Sequence, residues 1–116
     1  MTEKQSNDML LKEAYSLLMG LRENLPKDRP YLDGKYIKNF HLIVNKLEKA
    51  SGHNLNDYKI QEDDVRLEWS TYIDSGGNEE AYLERFCDRD LLAAKIDALL
   101  VFFKIEPPEI KIGFSP

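Results

Sequence analysis

Cysteine is almost absent from this sequence, which contains a single one, Cys87. A disulfide framework within the chain is therefore excluded, and so low a cysteine content is typical of a reducing compartment. Long apolar runs are also absent, and the first residues, MTEKQSND, lack the apolar segment of a signal peptide. These absences predict a cytoplasmic protein that does not contact a membrane.

The residues and motifs that build common cofactor sites are equally scarce. The two histidines, His41 and His53, share no CxxC or HxxxH spacing with Cys87, so the sequence indicates neither zinc nor a cysteine and histidine nucleophile. The glycine-rich phosphate motifs GxGxxG and GxxxxGK[ST] do not occur. The acidic segment that begins at Asp74 does not match a calcium loop, because Glu79 stands where that loop requires glycine. We therefore expect no cofactor and no metal.

What the chain does contain is the composition of an ordinary globular domain. Of its 116 residues, 42% are hydrophobic and 32% are charged, and this length suits one compact domain. The net charge of −5 is unevenly spread, because residues 26–50 carry six Lys and Arg against three acidic residues, whereas residues 56–90 carry four against eleven. We expect a single helical domain over residues 1–106, followed by a C-terminal tail or docking arm at 107–116.

The spacing of apolar residues predicts three principal helices. The first runs from near the N-terminus to Asn24, the second follows Asp33 as its N-cap and ends at Gly52, and the last spans about residues 89–104. The stretch LPKDRPYLDG between the first two predicts a loop, because proline disfavours helical geometry in the residue before it. The predicted core consists of apolar residues of these helices: Leu17, Leu21, Phe40, Val44, Leu47, Leu92, Ile96, Leu99 and Phe103.

Between the second helix and the last one, the period of the apolar residues changes. Residues 65–73 alternate as a half-buried strand does, and the segment DSGGNE after them is a strong turn signal. Residues 79–86 fit either the returning strand of a hairpin or the first turns of a helix. The predicted fold is mainly α, a small three- to four-helix domain with a possible short β-hairpin around residues 65–86.

Arg85, Cys87, Asp88 and Arg89 form a candidate ligand-binding site where the last helix begins. A continuous helix would place both arginines on its apolar face, so a break near Cys87 with Asp88 as N-cap is favoured. Two guanidinium groups at a helix N-terminus could clamp a small anion, in a binding protein or an enzyme. The alternative is that Cys87 is a buried structural residue, since its acidic neighbours oppose thiolate formation. No catalytic residue is indicated.

Two helical surfaces suggest contacts with other proteins. The last helix carries a second apolar stripe, Leu91, Ala98 and Phe102, which is broken mainly by Lys95. The second helix carries a basic stripe opposite its apolar face: Lys35, Lys38, Lys46 and Lys49. Nucleic acid is disfavoured as a partner, because the whole chain is acidic and no aromatic residues interleave with these lysines.

The absence of a catalytic constellation and the presence of these two surfaces favour one class of function. We expect a non-catalytic protein-interaction or regulatory module, which binds a protein partner or self-associates through the last helix. The alternative is a small-anion ligand-binding protein or enzyme with its site at Arg85, Cys87, Asp88 and Arg89.

Overall fold

The computed structural model describes residues 3–104, with side chains from residue 7 onward. Within this range three α-helices pack around one apolar core: α1 (Glu3–Glu23), α2 (Gly34–Ser51) and α3 (Arg89–Phe103). Two short 3-10 turns, Asn56–Tyr58 and Glu62–Asp64, lie between α2 and the sheet. Among the described residues, no helix is long and apolar enough to cross a membrane. The predicted tail at 107–116 lies outside the described residues.

The described residues also form an antiparallel sheet of three strands, in the order β1-β3-β2. The strands are β1 (Tyr31–Asp33), β2 (Val65–Ile73) and β3 (Glu79–Asp88). The fold is therefore helix-rich, as predicted, but it is mixed α/β rather than nearly all helical. Residues 79–86, which the sequence left open between strand and helix, belong to β3, and the hairpin is longer than predicted.

The boundaries of α2 follow the predicted caps. The Asp33 carboxylate accepts a hydrogen bond from the backbone N–H of Lys35 at 3.0 Å, which satisfies one of the free donors of the first turn. At the other end Gly52 adopts a left-handed conformation with φ of 77°, and its N–H donates to the Glu48 carbonyl at 2.8 Å. Both helix ends are thus determined by local residues.

The start of α3 is stabilised differently from the prediction. Asp88 occupies the N-cap position, but its side chain makes no capping hydrogen bond. The backbone N–H of Arg89 instead donates to the carbonyl of Pro30 at 3.0 Å. The first residue of α3 is therefore hydrogen-bonded to the residue that precedes β1, at the position where β3 ends.

β1 corrects the prediction that residues 25–34 form only a loop. Leu32 is fully buried and pairs with Cys87 of β3, while Tyr31 and Asp33 pair with Asp88 and Phe86. Three residues carry too weak a pattern to predict a strand, and the pairing partner lies more than fifty positions further along the chain.

Most of the predicted core is confirmed, but α1 is rotated about its axis relative to the prediction. Phe40, Val44, Leu47, Leu92, Ile96, Leu99 and Leu21 are buried, and Phe103 is half-buried against the core. Leu17 is exposed, and Leu18 is fully buried in its place. The reason is that α1 buries Ala14, Leu18 and Leu21, which lie on one stripe at helical spacing, and the buried Leu25 follows just after the helix.

Candidate functional site

One side of the β2–β3 hairpin continues the core-facing side of the sheet beyond the helices. Side chains alternate between the two sides of a strand, and Val65 and Cys87, which pair with each other, both point into the core. All odd-numbered residues of β2 and β3 therefore point to this same side. Beyond the first row they are Leu67, Trp69, Thr71, Ile73, Glu79, Ala81, Leu83 and Arg85, which we call the hairpin face.

The apolar residues of the hairpin face are largely exposed to solvent. The exposed fractions are 59% for Leu67, 71% for Trp69, 73% for Ile73 and 50% for Leu83. Trp69 and Leu83 are directly paired, so the four side chains form one patch. Its area is on the order of 500 Å², a size at which a patch on a monomeric protein is often functional.

The opposite side of the same hairpin is polar and makes its own contacts. Ser70 donates a hydrogen bond to the Glu84 carboxylate at 2.9 Å, and the rings of Tyr72 and Tyr82 lie 5.8 Å apart. The Arg66 guanidinium lies 4.7 Å from the centre of the Tyr31 ring. The two sides therefore differ in chemistry, and the apolar residues are concentrated on the hairpin face.

The tip of the hairpin is held by Asp74. One carboxylate oxygen of Asp74 accepts hydrogen bonds from the backbone N–H groups of Gly76 and Asn78, both at 2.9 Å. Gly77 has φ of 84°, a left-handed conformation that glycine adopts without strain. This turn sets the register in which Ile73 pairs with Glu79 and hence aligns the residues of the hairpin face.

Charges of opposite sign stand at the two ends of the hairpin face. Arg85 lies at the base, where its guanidinium forms an exposed ion pair with Glu62 at 3.1 Å. Glu79 lies at the tip, next to the exposed Glu80. The face is thus apolar in the middle and acidic at its tip, and its base carries a guanidinium that is paired with Glu62.

The residues of the predicted anion site do not converge. Arg85 pairs with Glu62, whereas the Arg89 guanidinium donates to the Pro26 carbonyl and forms an ion pair with Asp90 at 3.2 Å. Cys87 and Asp88 lie on opposite sides of β3, because they are consecutive residues of a strand. The geometry therefore does not favour a shared anion pocket formed by both arginines.

Cys87 is fully buried in the core. Burial raises the pKa of its thiol to about 11, and the negative charges of Asp88 and Asp64 act in the same direction. A neutral, inaccessible thiol is a poor nucleophile. Among the described residues, no group of three or more metal-ligating side chains comes together.

The second apolar stripe of α3 is partly covered by the loop that follows α2. Leu91 is half-buried against the core, and the Lys95 ammonium donates to the Asp57 carbonyl at 2.8 Å. Phe102 remains exposed but stacks edge-on against the His53 ring, with the ring centres 5.3 Å apart. Less apolar surface is therefore left for a partner on α3 than on the hairpin face.

The predicted basic stripe is present on the outer side of α2, where its four lysines are exposed: Lys35, Lys38, Lys46 and Lys49. Lys46 and Lys49 line a groove between α1 and α2. Lys38 lines a different groove, which it shares with Arg85 at the base of the hairpin. One end of the basic stripe thus adjoins the hairpin face.

His41 and Glu48 hold the loop between α2 and β2 in place. The Nε2 atom of His41 accepts a hydrogen bond from the Ile60 N–H at 3.0 Å. The Glu48 carboxylate accepts from the Leu55 N–H at 2.9 Å and pairs with the Lys59 ammonium at 3.1 Å. These residues have a structural role, and neither contributes to the hairpin face.

The hairpin face was not predicted as a site, although its signal is present in the sequence. The alternation of Leu67, Trp69 and Ile73 predicts a half-buried strand whose apolar side is covered, whereas the structure leaves that side exposed. Comparison with known proteins finds no family model, no curated protein and no solved structure that matches the chain.

Proposed function

We propose that this protein is a non-catalytic protein-interaction module that binds its partner through the hairpin face. The observation that carries the proposal is the exposure of Trp69, Leu67, Ile73 and Leu83 on one side of a two-stranded hairpin. Exposed apolar patches of this kind mark interaction sites, and tryptophan is enriched among the residues that dominate binding energy.

The physical state of the hairpin supports the same function. A two-stranded hairpin is marginally stable in water on its own and requires packing on one of its sides. Here only the row of Val65 and Cys87 reaches the core, and the rows from Leu67 to Ile73 extend roughly 20 Å beyond it. A bound partner would supply the missing layer on the apolar side.

Site-directed photocrosslinking in cells tests this proposal. A benzophenone amino acid at position 83 places the probe on the hairpin face, and the same probe at position 84 places it on the polar side of the same strand. We expect a defined crosslinked adduct from position 83 that is absent from position 84 and is lost when Trp69→Thr is added. Equal crosslinking from both positions, or none, would contradict the proposal.

The last helix is a second candidate surface for the same class of function. Phe102, Val101 and Ala98 are exposed on α3 and would extend a contact made there. The partial cover over this stripe makes it secondary to the hairpin face. A probe at position 101 in the same crosslinking experiment compares the two surfaces directly.

Small-anion binding at Arg85, Cys87, Asp88 and Arg89 is the alternative function, and no contact among the described residues of this region favours it. Both guanidinium groups already pair with groups of the protein. We therefore expect inorganic phosphate to raise the thermal unfolding midpoint of the wild type no more than it raises that of an Arg89→Lys variant. A phosphate-dependent stabilisation that the variant loses would instead support anion binding.

We also propose that the protein acts in the cytoplasm. Its single cysteine is buried and forms no disulfide, which suits a reducing compartment. Fractionation of cells that express the full chain should recover it with cytosolic markers. Recovery with membranes or in the medium would contradict this location.

A further inference from the structure

We propose that the partner of the hairpin face is a second copy of this chain, packed face to face with the first across a two-fold axis. In this dimer the tip of each hairpin lies against the base of the other hairpin. The inference rests on the proposed function and names its partner.

The rows of the hairpin face determine which residues meet in this arrangement. From base to tip the paired residues are Leu67 with Arg85, Trp69 with Leu83, Thr71 with Ala81, and Ile73 with Glu79. A two-fold axis that runs across the strands between the second and third of these rows brings the first row over the partner's fourth and the second over the partner's third. β2 then lies over the β2 strand of the partner, in the opposite direction.

The side chains that meet are complementary in size. Trp69 lies over the partner's Thr71, and Leu83 lies over the partner's Ala81, so in each case a large residue faces a small one. Two packed sheets need this alternation, because side chains from both inner sides interdigitate within a layer about 10 Å thick. Leu67 meets the partner's Ile73, which completes an apolar contact on both sides of the axis.

The charges also favour this orientation. Arg85 at the base meets the partner's Glu79 at the tip, and the symmetry of the dimer makes this contact twice. Arg85 already pairs with Glu62 at the base, and Lys38, which lines the same groove, supplies a further positive charge there, while Asp74 adds negative charge at the tip. If the two hairpins instead packed base to base about an axis parallel to the strands, β2 would lie over the partner's β3. Arg85 would then face the partner's Leu67 and Glu79 the partner's Ile73, so neither charge would meet an opposite charge.

The apolar area suffices for a weak but specific dimer. Two copies of the hairpin face would together bury about 1,000 Å², which is the lower limit expected for a specific interface. The contacts of the hairpin tips with the bases add to this area. We therefore expect association at micromolar concentrations rather than a permanent dimer.

Light scattering after size-exclusion chromatography, with dilution to obtain the dissociation constant, tests the surface. Trp69→Thr keeps a residue that favours strands but removes the central ring, and we expect it to weaken the dimer by about 30-fold or more. Tyr72→Thr is the matched control, because it removes an exposed aromatic residue from the other side of the same strand. The control should dimerise as the wild type does.

A charge exchange tests the orientation. Arg85→Glu alone places a new carboxylate against the partner's Glu79, and Glu79→Arg alone places a new guanidinium against the partner's Arg85. Each variant should therefore dimerise at least tenfold more weakly than the wild type. In a heterodimer of the two variants, both contacts join a glutamate of one chain to an arginine of the other, so mixing the two variants should restore association. The double variant Arg85→Glu with Glu79→Arg pairs opposite charges at both contacts and should restore the dimer.

Thermal unfolding of each charge variant verifies that the monomer is folded. Both exchanged positions are exposed to solvent in the monomer or pair only at its surface, so we expect the unfolding midpoints to stay close to that of the wild type. A double variant that is folded but fails to dimerise would overturn the proposed orientation.

The outcomes separate this inference from the proposed function. A wild type that stays monomeric at all concentrations overturns the dimer, while face-specific crosslinking to a different protein would still support the interaction module. A dimer that Trp69→Thr does not weaken overturns the inference too, because its interface is then another surface, such as α3 or the outer edge of β2.

Discussion

Single residues explain how the segment between α2 and β2 keeps its shape with little regular structure of its own. His41 and Glu48 stand seven positions apart on α2, and each accepts a backbone N–H from this segment. Gln61 adds two hydrogen bonds within it, from its side-chain amide to the carbonyls of Asn56 and Lys59. These contacts satisfy backbone groups that a packed loop would otherwise leave without partners.

The role of His41 predicts a loss of stability in mild acid. Burial lowers the pKa of His41 in the folded chain, and the positive charges of Lys59 and Arg85 lower it further, against a smaller opposite effect of Glu62. The unfolded chain therefore takes up the proton first as pH falls. The stability that His41 contributes is present above its ordinary pKa of 6.5 and is lost as pH decreases from there towards the lower folded value.

Replacing His41 by glutamine should remove this pH dependence. Gln keeps a hydrogen-bond acceptor near the Ile60 N–H but does not titrate, so we expect His41→Gln to lose less unfolding free energy than the wild type between about pH 7.5 and about pH 5.5. Urea denaturation at the two pH values measures this loss of unfolding free energy. His53→Gln, at an exposed histidine, should behave as the wild type, and an unchanged pH dependence in His41→Gln would contradict the assignment.

The burial of Cys87 predicts that its thiol is inert in the folded protein. At about pH 8, a thiol with a pKa of about 11 is ionised roughly 100-fold less than an ordinary cysteine, and the core also blocks access. We expect alkylation by iodoacetamide to be at least this much slower than in urea. A Ser75→Cys variant provides an exposed thiol at the hairpin turn and should take up one label per chain quickly, whereas rapid double labelling would contradict the burial.

At the level of elements, the hairpin has two regions of different stability. Its base is joined to β1 and to the core through Leu32, Val65 and Cys87, whereas the contacts that the structure describes for its distal half are cross-strand ones. Segments with few buried apolar contacts open at low free energy. In the monomer the distal half should therefore open without unfolding the helices.

Asp74→Ala should increase this local opening without affecting the rest of the domain. The substitution removes the acceptor for the Gly76 and Asn78 N–H groups, so we expect amide hydrogen exchange to become faster in residues 70–82. The global free energy of unfolding should change by less than about 0.5 kcal/mol. Ser75→Ala, at the neighbouring exposed position, is the control. Equal acceleration of exchange in α2 would show that the hairpin and the helices open as one unit.

For the whole molecule, charge and apolar surface are separated in space. The outer side of α2 is basic, the tip of the hairpin is acidic, and the apolar patch lies between the base and the tip. Such an arrangement steers association through charge while apolar contact supplies most of the binding energy.

The proposed dimer should therefore depend only weakly on salt. The two Arg85 contacts are at the rim, where exposed ion pairs contribute about 0.2–1 kcal/mol each, and salt screens them. We expect the dissociation constant to rise less than about tenfold between low and high salt, as measured by light scattering at both. Complete dissociation at high salt would mean that the interface is electrostatic and does not involve Trp69.

The features that could be predicted from the sequence are those that nearby residues decide. Asp33 caps the start of α2 and Gly52 caps its end, each through a hydrogen bond to a residue within four positions. The turn at Asp74 closes through a hydrogen bond from Asn78, four positions on. The spacing of apolar residues in α2 and α3 also predicted the buried face of each helix correctly. Local geometry is sufficient in each of these cases, because the groups that bond are close along the chain.

The remaining features depended on neighbours that are distant along the chain. β1 exists because β3 supplies its partners, and α1 is rotated towards Leu18 rather than Leu17 because of where α2 and α3 lie. The hairpin face is the clearest case. Alternation in Val65 to Ile73 shows that the two sides of the strand differ, but whether another layer covers the apolar side depends on the tertiary structure. Here the helices reach only the first row, and Trp69 is left exposed to solvent.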